Sequence, residues 1–352
     1  MSIRQSDVVM LMSMTRSTRQ RRFLLALLAS QAVERPLIPN IRFNLLGLSN
    51  ANAILDYRFD IAGIRQLGYH LGLPAVLVTA SQNRVLRDEA MCILLGRLAF
   101  PTRLHDMSRT FGRSRSSICD VFLHVVNLLY NLWGRVLYFN KSLVVKNIDR
   151  YCAAVARKGS PLPNVYGFID GTKIQTCRIE SVGDGNNRQK QIYSSDMPDG
   201  ICVHFFGPVE GRRHDATMLR ESKLLEFFQN NREVFFSKYI YGDPAYGIVE
   251  YLLSGYKGND VGVLKRDFNK WMSRVRQSVE WNFKIFKTLW SFITFKILSK
   301  IRLSPVAKIV CIAMLLTNCH CCHFRGNQIS QYFDLEPPTL KDYLNMLEIV
   351  EV

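Results

Sequence analysis

The sequence predicts an α/β fold in which a mixed sheet with flanking helices follows an all-helical front. From residue 163 onward, short apolar runs at 165–169, 174–177, 201–206 and 239–241 are each bounded by Gly, Asp or Pro, as strands are. Helical periodicity lies between and after them, at 216–228, 272–290 and 304–318. Strands that alternate with helices argue one α/β unit. Upstream, residues 86–138 carry only helical patterns.

Taken in order, residues 1–85 form an irregular N-terminal region, with Pro36, Pro39 and turns around Asn44 and Asn50, in which short helices are expected. Residues 86–150 form a helical region. In its first helix, over 88–100, Met91, Leu94, Leu95 and Leu98 share one face. Pro101 and Thr102 break and restart the chain. A short helix follows with Leu104, Met107 and Phe111; Gly112 stops it and Ser114 caps the next. That helix carries Ile118, Val121, Phe122, Val125 and Leu128.

Two helices joined through a glycine turn suit a helix-turn-helix, with Arg115 and Ser116 at the start of the second helix offered to a DNA phosphate or base edge. An ordinary helical hairpin has the same spacing. The stretch 159–164 (GSPLPN) is a junction to the α/β core at 160–325, and 326–352 is a C-terminal tail.

Composition narrows the function classes. The 352 residues are 48% hydrophobic and 21% charged, which excludes a disordered chain. Forty-six Lys+Arg against 29 Asp+Glu give a net charge of +17, spread over the whole chain instead of forming one tail. Such a field attracts polyanions, nucleic acid first and an anionic membrane surface second. The nine scattered cysteines do not form the framework of a small secreted domain, and they suit core thiols in a reducing compartment.

No apolar run is expected to reach membrane-spanning length. The nearest, 23–30, is short and follows the basic stretch RSTRQRR, which can serve a signal segment or nuclear entry.

Three acids stand out by context. Asp170 closes the run 165–169 and precedes Gly171; Asp243 closes 239–242 and precedes Pro244. Both are therefore expected at strand C-terminal ends, where open α/β sheets hold ligands. Glu280 sits on the helix 272–290, in a stripe with Arg276, Lys284 and Lys287 beside the apolar face Val275, Val279, Phe283, Phe286 and Trp290.

A solvated row of i,i+4 ion pairs would give that stripe, and so would a metal ligand flanked by cations that hold DNA phosphates. Cutting a phosphodiester requires an activated water and a stabilised leaving oxygen, and two hard cations in a carboxylate frame supply both. Carboxylates gathered without cations repel one another.

The motifs YGFIDGT (166–172), GPVEGRRHDATMLRES (207–222), YGDPAYG (241–247) and RQSVEWNFKIFK (276–287), in this order, resemble those of Harbinger-type DDE transposases and their domesticated nuclease relatives. The ending GNQISQYFDLEPPTLKDYL (326–344) is similar to endings in that group. The resemblance implies an RNase H-like fold, Asp170, Asp243 and Glu280 as catalytic acids that bind Mg²⁺ or Mn²⁺, and action in the nucleus on DNA such as transposon terminal repeats. It also marks Asp215 as a supporting acid that could cap the helix beginning at Ala216 or orient the site, with His214 beside it.

One departure is notable. RQKQIYS (188–194) runs almost directly into Pro198-Asp199-Gly200, where the family usually has a further strand. A sheet one strand short is therefore expected.

Two functions follow: a metal-dependent DNA endonuclease or transposase, and a domesticated or decayed DNA-binding relative without catalysis. A membrane-surface protein rests only on charge and on residues 16–30 and is set aside, so no membrane partner is expected. A homo-oligomer and an accessory DNA-binding protein stay open as further partners. The run Cys319-His320-Cys321-Cys322-His323 is not expected to bind zinc, because neighbours on a helix diverge.

Overall fold

The structure, a computed structural model, describes residues 5–29, 37–175, 189–210, 214–258, 262–295 and 305–347. The chain forms two units, Met1–Asn40 and Ile41–Val352. In the first, α1 (Gln5–Met14) packs on α2 (Thr18–Ala29).

The second unit begins with α3 (Asn50–Tyr57) and α4 (Ile61–His70), each capped by the residue the chain supplies for it: Ser49 accepts from the Asn52 amide and Asp60 from that of Gly63. An antiparallel hairpin follows, β1 (Val76–Val78) with β2 (Arg84–Leu86), which the sequence did not announce because each strand has only three residues. Next comes α5 (Arg87–Ala99). It is buried almost all round and not on one face, because α3, α4 and α7 (Arg115–Trp133) pack on different sides of it.

Before α7 comes α6 (Leu104–Phe111). Gly112 ends α6 in the left-handed region at φ 60°, and Ser114 accepts from the Ser117 amide at 3.1 Å to start α7. The turn is fastened to α5 by Arg113, whose Nε and Nη2 donate to the two oxygens of Glu89 at 2.5 and 3.0 Å. On its other side, Thr79 and Asn83 of the hairpin loop donate to Asp120 at 2.5 and 2.7 Å, and Ser117 donates to Asn83 at 2.8 Å.

After α8 (Lys141–Arg157) comes the sheet: β3 (Val165–Gln175), β4 (Gln189–Asp196), β5 (Cys202–Glu210), β6 (Tyr239–Gly242) and β7 (Leu252–Ser254). Its order is β5-β4-β3-β6-β7. The β3–β4 and β4–β5 pairs are antiparallel, whereas β3–β6 and β6–β7 are parallel. This five-strand mixed sheet with helices around it is compatible with an RNase H-like fold.

The expected loss of a strand finds no support among the described residues. Residues 194–196 finish β4 and the turn 197–201 leads straight into β5, so the sheet has no gap. The two runs 165–169 and 174–177 are one strand as far as Gln175, because β4 pairs with β3 from Phe168 onward; 176–177 lie outside the described residues.

The remaining helices are α9 (Asp215–Ser222), α10 (Leu224–Asn230), α11 (Arg232–Phe235), α12 (Val263–Leu289), α13 (Val306–His323), α14 (Gln328–Phe333) and α15 (Leu340–Asn345). The single helix expected over 216–228 is split at Lys223, which adopts φ 53°. Both α8 and α12 lie against β3. α14 packs on α12, and its Phe333 stacks on Phe168 of β3 with ring centroids 6.1 Å apart.

α13 is the one described helix long and apolar enough to cross a membrane by length and composition, which corrects the expectation that no run reaches that length. It is 72% buried inside the protein. Its Asn318 side chain closes on the backbone of Cys202 in the edge strand β5, accepting from the amide at 3.0 Å and donating to the carbonyl at 2.8 Å.

A Cβ on Gly112 would lie 2.1 Å from the Ile41 carbonyl oxygen, and φ there is +60°. Gly112→Ala is expected to lower unfolding free energy by about 1–3 kcal/mol in urea titration. An unchanged midpoint would show that the turn is not under this constraint.

Candidate active site

The parallel pairing of β3 with β6 places two of the acids together. Ile169 is opposite Gly242, and the next residue along the chain from each is an acid, Asp170 and Asp243. Asp243 follows the end of β6 as expected. Asp170 does not end its strand: β3 continues five residues beyond it on hydrogen bonds to β4, and only its parallel partner stops. The relevant boundary is thus the end of β6, not that of β3.

α12 brings the third acid. Met272, Val275, Val279, Phe283 and Phe286 are buried, which turns the adjoining stripe with Arg276 and Glu280 along the margin of the packed face. The Arg276 guanidinium is 3.4 Å from Asp170, 3.7 Å from Asp243 and 3.6 Å from Glu280. Exposure grades across the group: the side chains of Arg276 and Asp170 are 18% and 20% accessible, that of Asp243 40% and that of Glu280 60%.

Burial raises the Asp170 pKa above the usual aspartate value; the guanidinium and the Gly171 amide oppose this, and Asp215 and Asp243 add to it. Asp243 also accepts from the Ala245 amide at 2.8 Å, so the turn at Pro244 fixes its direction.

Asp215 is a fourth acid here. It is the first residue of α9, so it does not cap the helix as proposed from sequence; His214 holds the cap position without a side-chain bond and is exposed. Gln191 Nε2 donates to Asp215 at 2.6 Å, and a Cβ on Gly171 would stand 3.1 Å from Asp215 Oδ1. The glycine after Asp170 therefore lets the two acids approach each other.

Around these acids, Tyr193 Oη, Tyr246 Oη, Gln191 Oε1 and Arg276 Nη1 are buried without a hydrogen-bond partner among the described residues. Arg276 Nη1 meets Asp170 as an ion pair but not in hydrogen-bond geometry. Gln191, Tyr193 and Tyr246 were not singled out from sequence. The alternation of Gln191 and Tyr193, which puts both on one side of β4, was the available signal.

The donor set is wholly oxygen and suits a hard divalent cation, and the buried polar atoms without partners suit a hydrated one. As arranged, however, no three His, Cys, Asp or Glu side chains among the described residues are grouped to hold a metal ion; the neighbour common to Asp170, Asp243 and Glu280 is Arg276.

The other expected residues lie as follows. Lys287 donates to Thr172 Oγ1 at 2.7 Å, next to the acids, and burial lowers its pKa. Lys284 is exposed on α12. Arg276 faces the acids and not open solvent. Arg115 and Ser116 are exposed in the first turn of α7.

A family model described as DDE superfamily endonuclease matches residues 189–318. The matched segment includes Asp215, Asp243, Arg276 and Glu280 and begins after Asp170. The match supports a transposase-like nuclease. Comparison with curated proteins and with solved structures gave no match.

The position of α12, and with it Glu280 and Arg276, depends on a buried pair. Asp196 ends β4 and accepts from Asn282 Nδ2 and, at 3.2 Å, from Ser194 Oγ. Burial pushes its carboxyl up to about 8, against donors on Ser194, Asn282 and Cys202 that favour the charge. The folded state thus keeps this proton to higher pH than the unfolded chain, whose carboxyl titrates near 3.8. The stabilisation is complete below the unfolded value and is lost as pH rises through the folded one. Unfolding free energy measured at pH 5, 7 and 9 is expected to fall through this window, with a shallower fall in Asp196→Asn. Equal slopes in the two proteins would remove Asp196 as the source.

Proposed function

We propose that the chain is a metal-dependent DNA endonuclease of the DDE transposase type, of the Harbinger kind its motifs resemble. The observation that carries this is the convergence of Asp170, Asp243 and Glu280, from β3, the end of β6 and α12, on one cationic group. Carboxylates from three distant segments around a positive charge make a frame for hard cations. When bound, a pair of Mg²⁺ or Mn²⁺ ions supplies the activated water and the stabilised leaving oxygen that phosphodiester hydrolysis requires.

The chain's own residues do the rest. Asp170 is held within the sheet, Asp243 by its turn and Asp215 by Gln191, so three acids are set before any ligand arrives. Lys284, Lys270 and Arg274 are exposed along α12 and suit DNA phosphates, as do Arg115 and Ser116 at the start of α7. The same reading carries the nucleus as the site of action, as the motif resemblance implies.

A second reading, a DNA-binding relative without catalysis, is favoured by the position of Arg276 among the acids and by the lack of a metal-ready group among the described residues. One experiment separates the two. Terminal-repeat DNA is incubated with the protein and Mg²⁺ or Mn²⁺. Wild type is expected to cut. Asp170→Asn, Asp243→Asn and Glu280→Gln are each expected to lose on the order of 100-fold, the scale on which removing one charge-stabilising group acts, while still binding DNA. Salt-sensitive binding without cleavage by wild type would leave only the second reading.

A further inference from the structure

We propose that Arg276 is the resident counter-ion of the acid cluster, a positioning residue that keeps Asp170, Asp243 and Glu280 together and is displaced when a divalent cation binds. The proposal rests on the nuclease reading above and assigns that site's metal-free state.

Charge requires some such group. Asp170 and Asp243 follow paired residues of two parallel strands and Asp215 is brought up against Gly171, and like charges gathered at one sheet end push apart unless a cation intervenes. Arg276 meets all three of the acids that come from separate segments, at 3.4, 3.7 and 3.6 Å. Its own helix supplies one of them, Glu280, a single turn further on, and the sheet supplies the other two.

The hold is diffuse. A guanidinium that is built permanently into an ion pair uses its fork, with two parallel hydrogen bonds of about 2.8 Å to one carboxylate. Arg113 does this with Glu89, at 2.5 and 3.0 Å. Arg276 instead meets its three partners at 3.4–3.7 Å, and its Nη1 has no hydrogen-bond partner among the described residues. Its attraction to the cluster is therefore mostly charge without directional bonding, which a smaller ion of higher charge can replace.

The long apolar stem allows the head to leave without moving α12. Glu280, at 60% the most accessible of the three acids, has the most freedom to follow an incoming ion.

This differs from a merely structural role in the sign of its effect. If Arg276 only scaffolds the acids, removing it splays them and weakens metal binding. If it occupies their charge, removing it strengthens metal binding. Mn²⁺ affinity of the full chain without DNA, measured by calorimetry, is expected to tighten about 10-fold or more in Arg276→Gln as a competing positive charge disappears, and to stay near wild type in Arg276→Lys.

A second measurement avoids any folding defect. In wild type, modification of Arg276 by phenylglyoxal, mapped by peptide mass, is expected to rise severalfold when Mn²⁺ is added to protein held in EDTA. Wild type and a folded Arg276→Gln binding Mn²⁺ equally well, or the variant binding it more weakly, would overturn the proposal and leave the nuclease reading standing. Unchanged labelling of a Mn²⁺-loaded wild type would do the same. If no form of the protein binds Mn²⁺, the nuclease reading falls and this proposal falls with it.

Discussion

Mutual repulsion among carboxylates is the constraint around which the core of this protein is arranged. Asp170 and Asp243 are adjacent because two parallel strands run in register. Asp215 is brought up against Gly171, and Glu280 arrives on a helix anchored elsewhere. Burial raises the pKa of Asp170, and the carboxylates of Asp215 and Asp243 add to that cost of ionisation. Arg276 offsets that cost from α12, so the helix that brings the third acid also brings the cation. Packing of α12 on β3 and electrostatics at the strand end are in this sense one interaction: loosening the helix removes both.

Parts of this were legible in the sequence and parts were not, for physical reasons. Asp243 was placed correctly because a short apolar run followed by Asp-Pro is a local signal. Asp170 was placed at a strand end because apolar character stops there. β3 continues because β4 pairs with it, and pairing with a polar strand such as QKQIYSSD leaves no hydrophobic trace in β3 itself. β7, three residues long, falls below the length at which alternation can be seen.

The start of α12 was missed for a related reason. Val263 and Leu264 are exposed, so the apolar stripe that marks the helix begins only at Met272. The stripe of Arg276, Glu280, Lys284 and Lys287 was visible, but spacing does not tell which members turn toward a sheet. Arg276 and Lys287 meet β3, at Asp170 and Thr172, and Lys284 meets solvent.

The helical front shows the same limit. The glycine turn between α6 and α7 was predictable from Gly112 and Ser114 alone. Its bracing was not, because it comes from residues of α5 and of a hairpin made of three-residue strands. That bracing has a consequence for nucleic-acid contact. Asp120, one turn into α7, is tied to Thr79 and Asn83, so the hairpin loop lies along the helix and the exposed polar surface at this end is the first turn with Arg115 and Ser116. A duplex meeting this face would be met by the end of α7 and not by its length.

The acid cluster is set apart from an ordinary structural ion-pair network by what is left unsatisfied near it. Buried polar atoms are nearly always paired, since an unpaired one costs about 1–3 kcal/mol. Of the ten buried side-chain atoms without a partner among the described residues, four belong to Gln191, Tyr193, Tyr246 and Arg276, around the same acids. A network serving stability alone would be expected to satisfy its donors, as Arg113 and Glu89 do elsewhere in the fold. A desolvated Asp170 among further acids, a loosely held cation and unpartnered hydroxyls in one place are instead the arrangement of a site that is completed by something it binds.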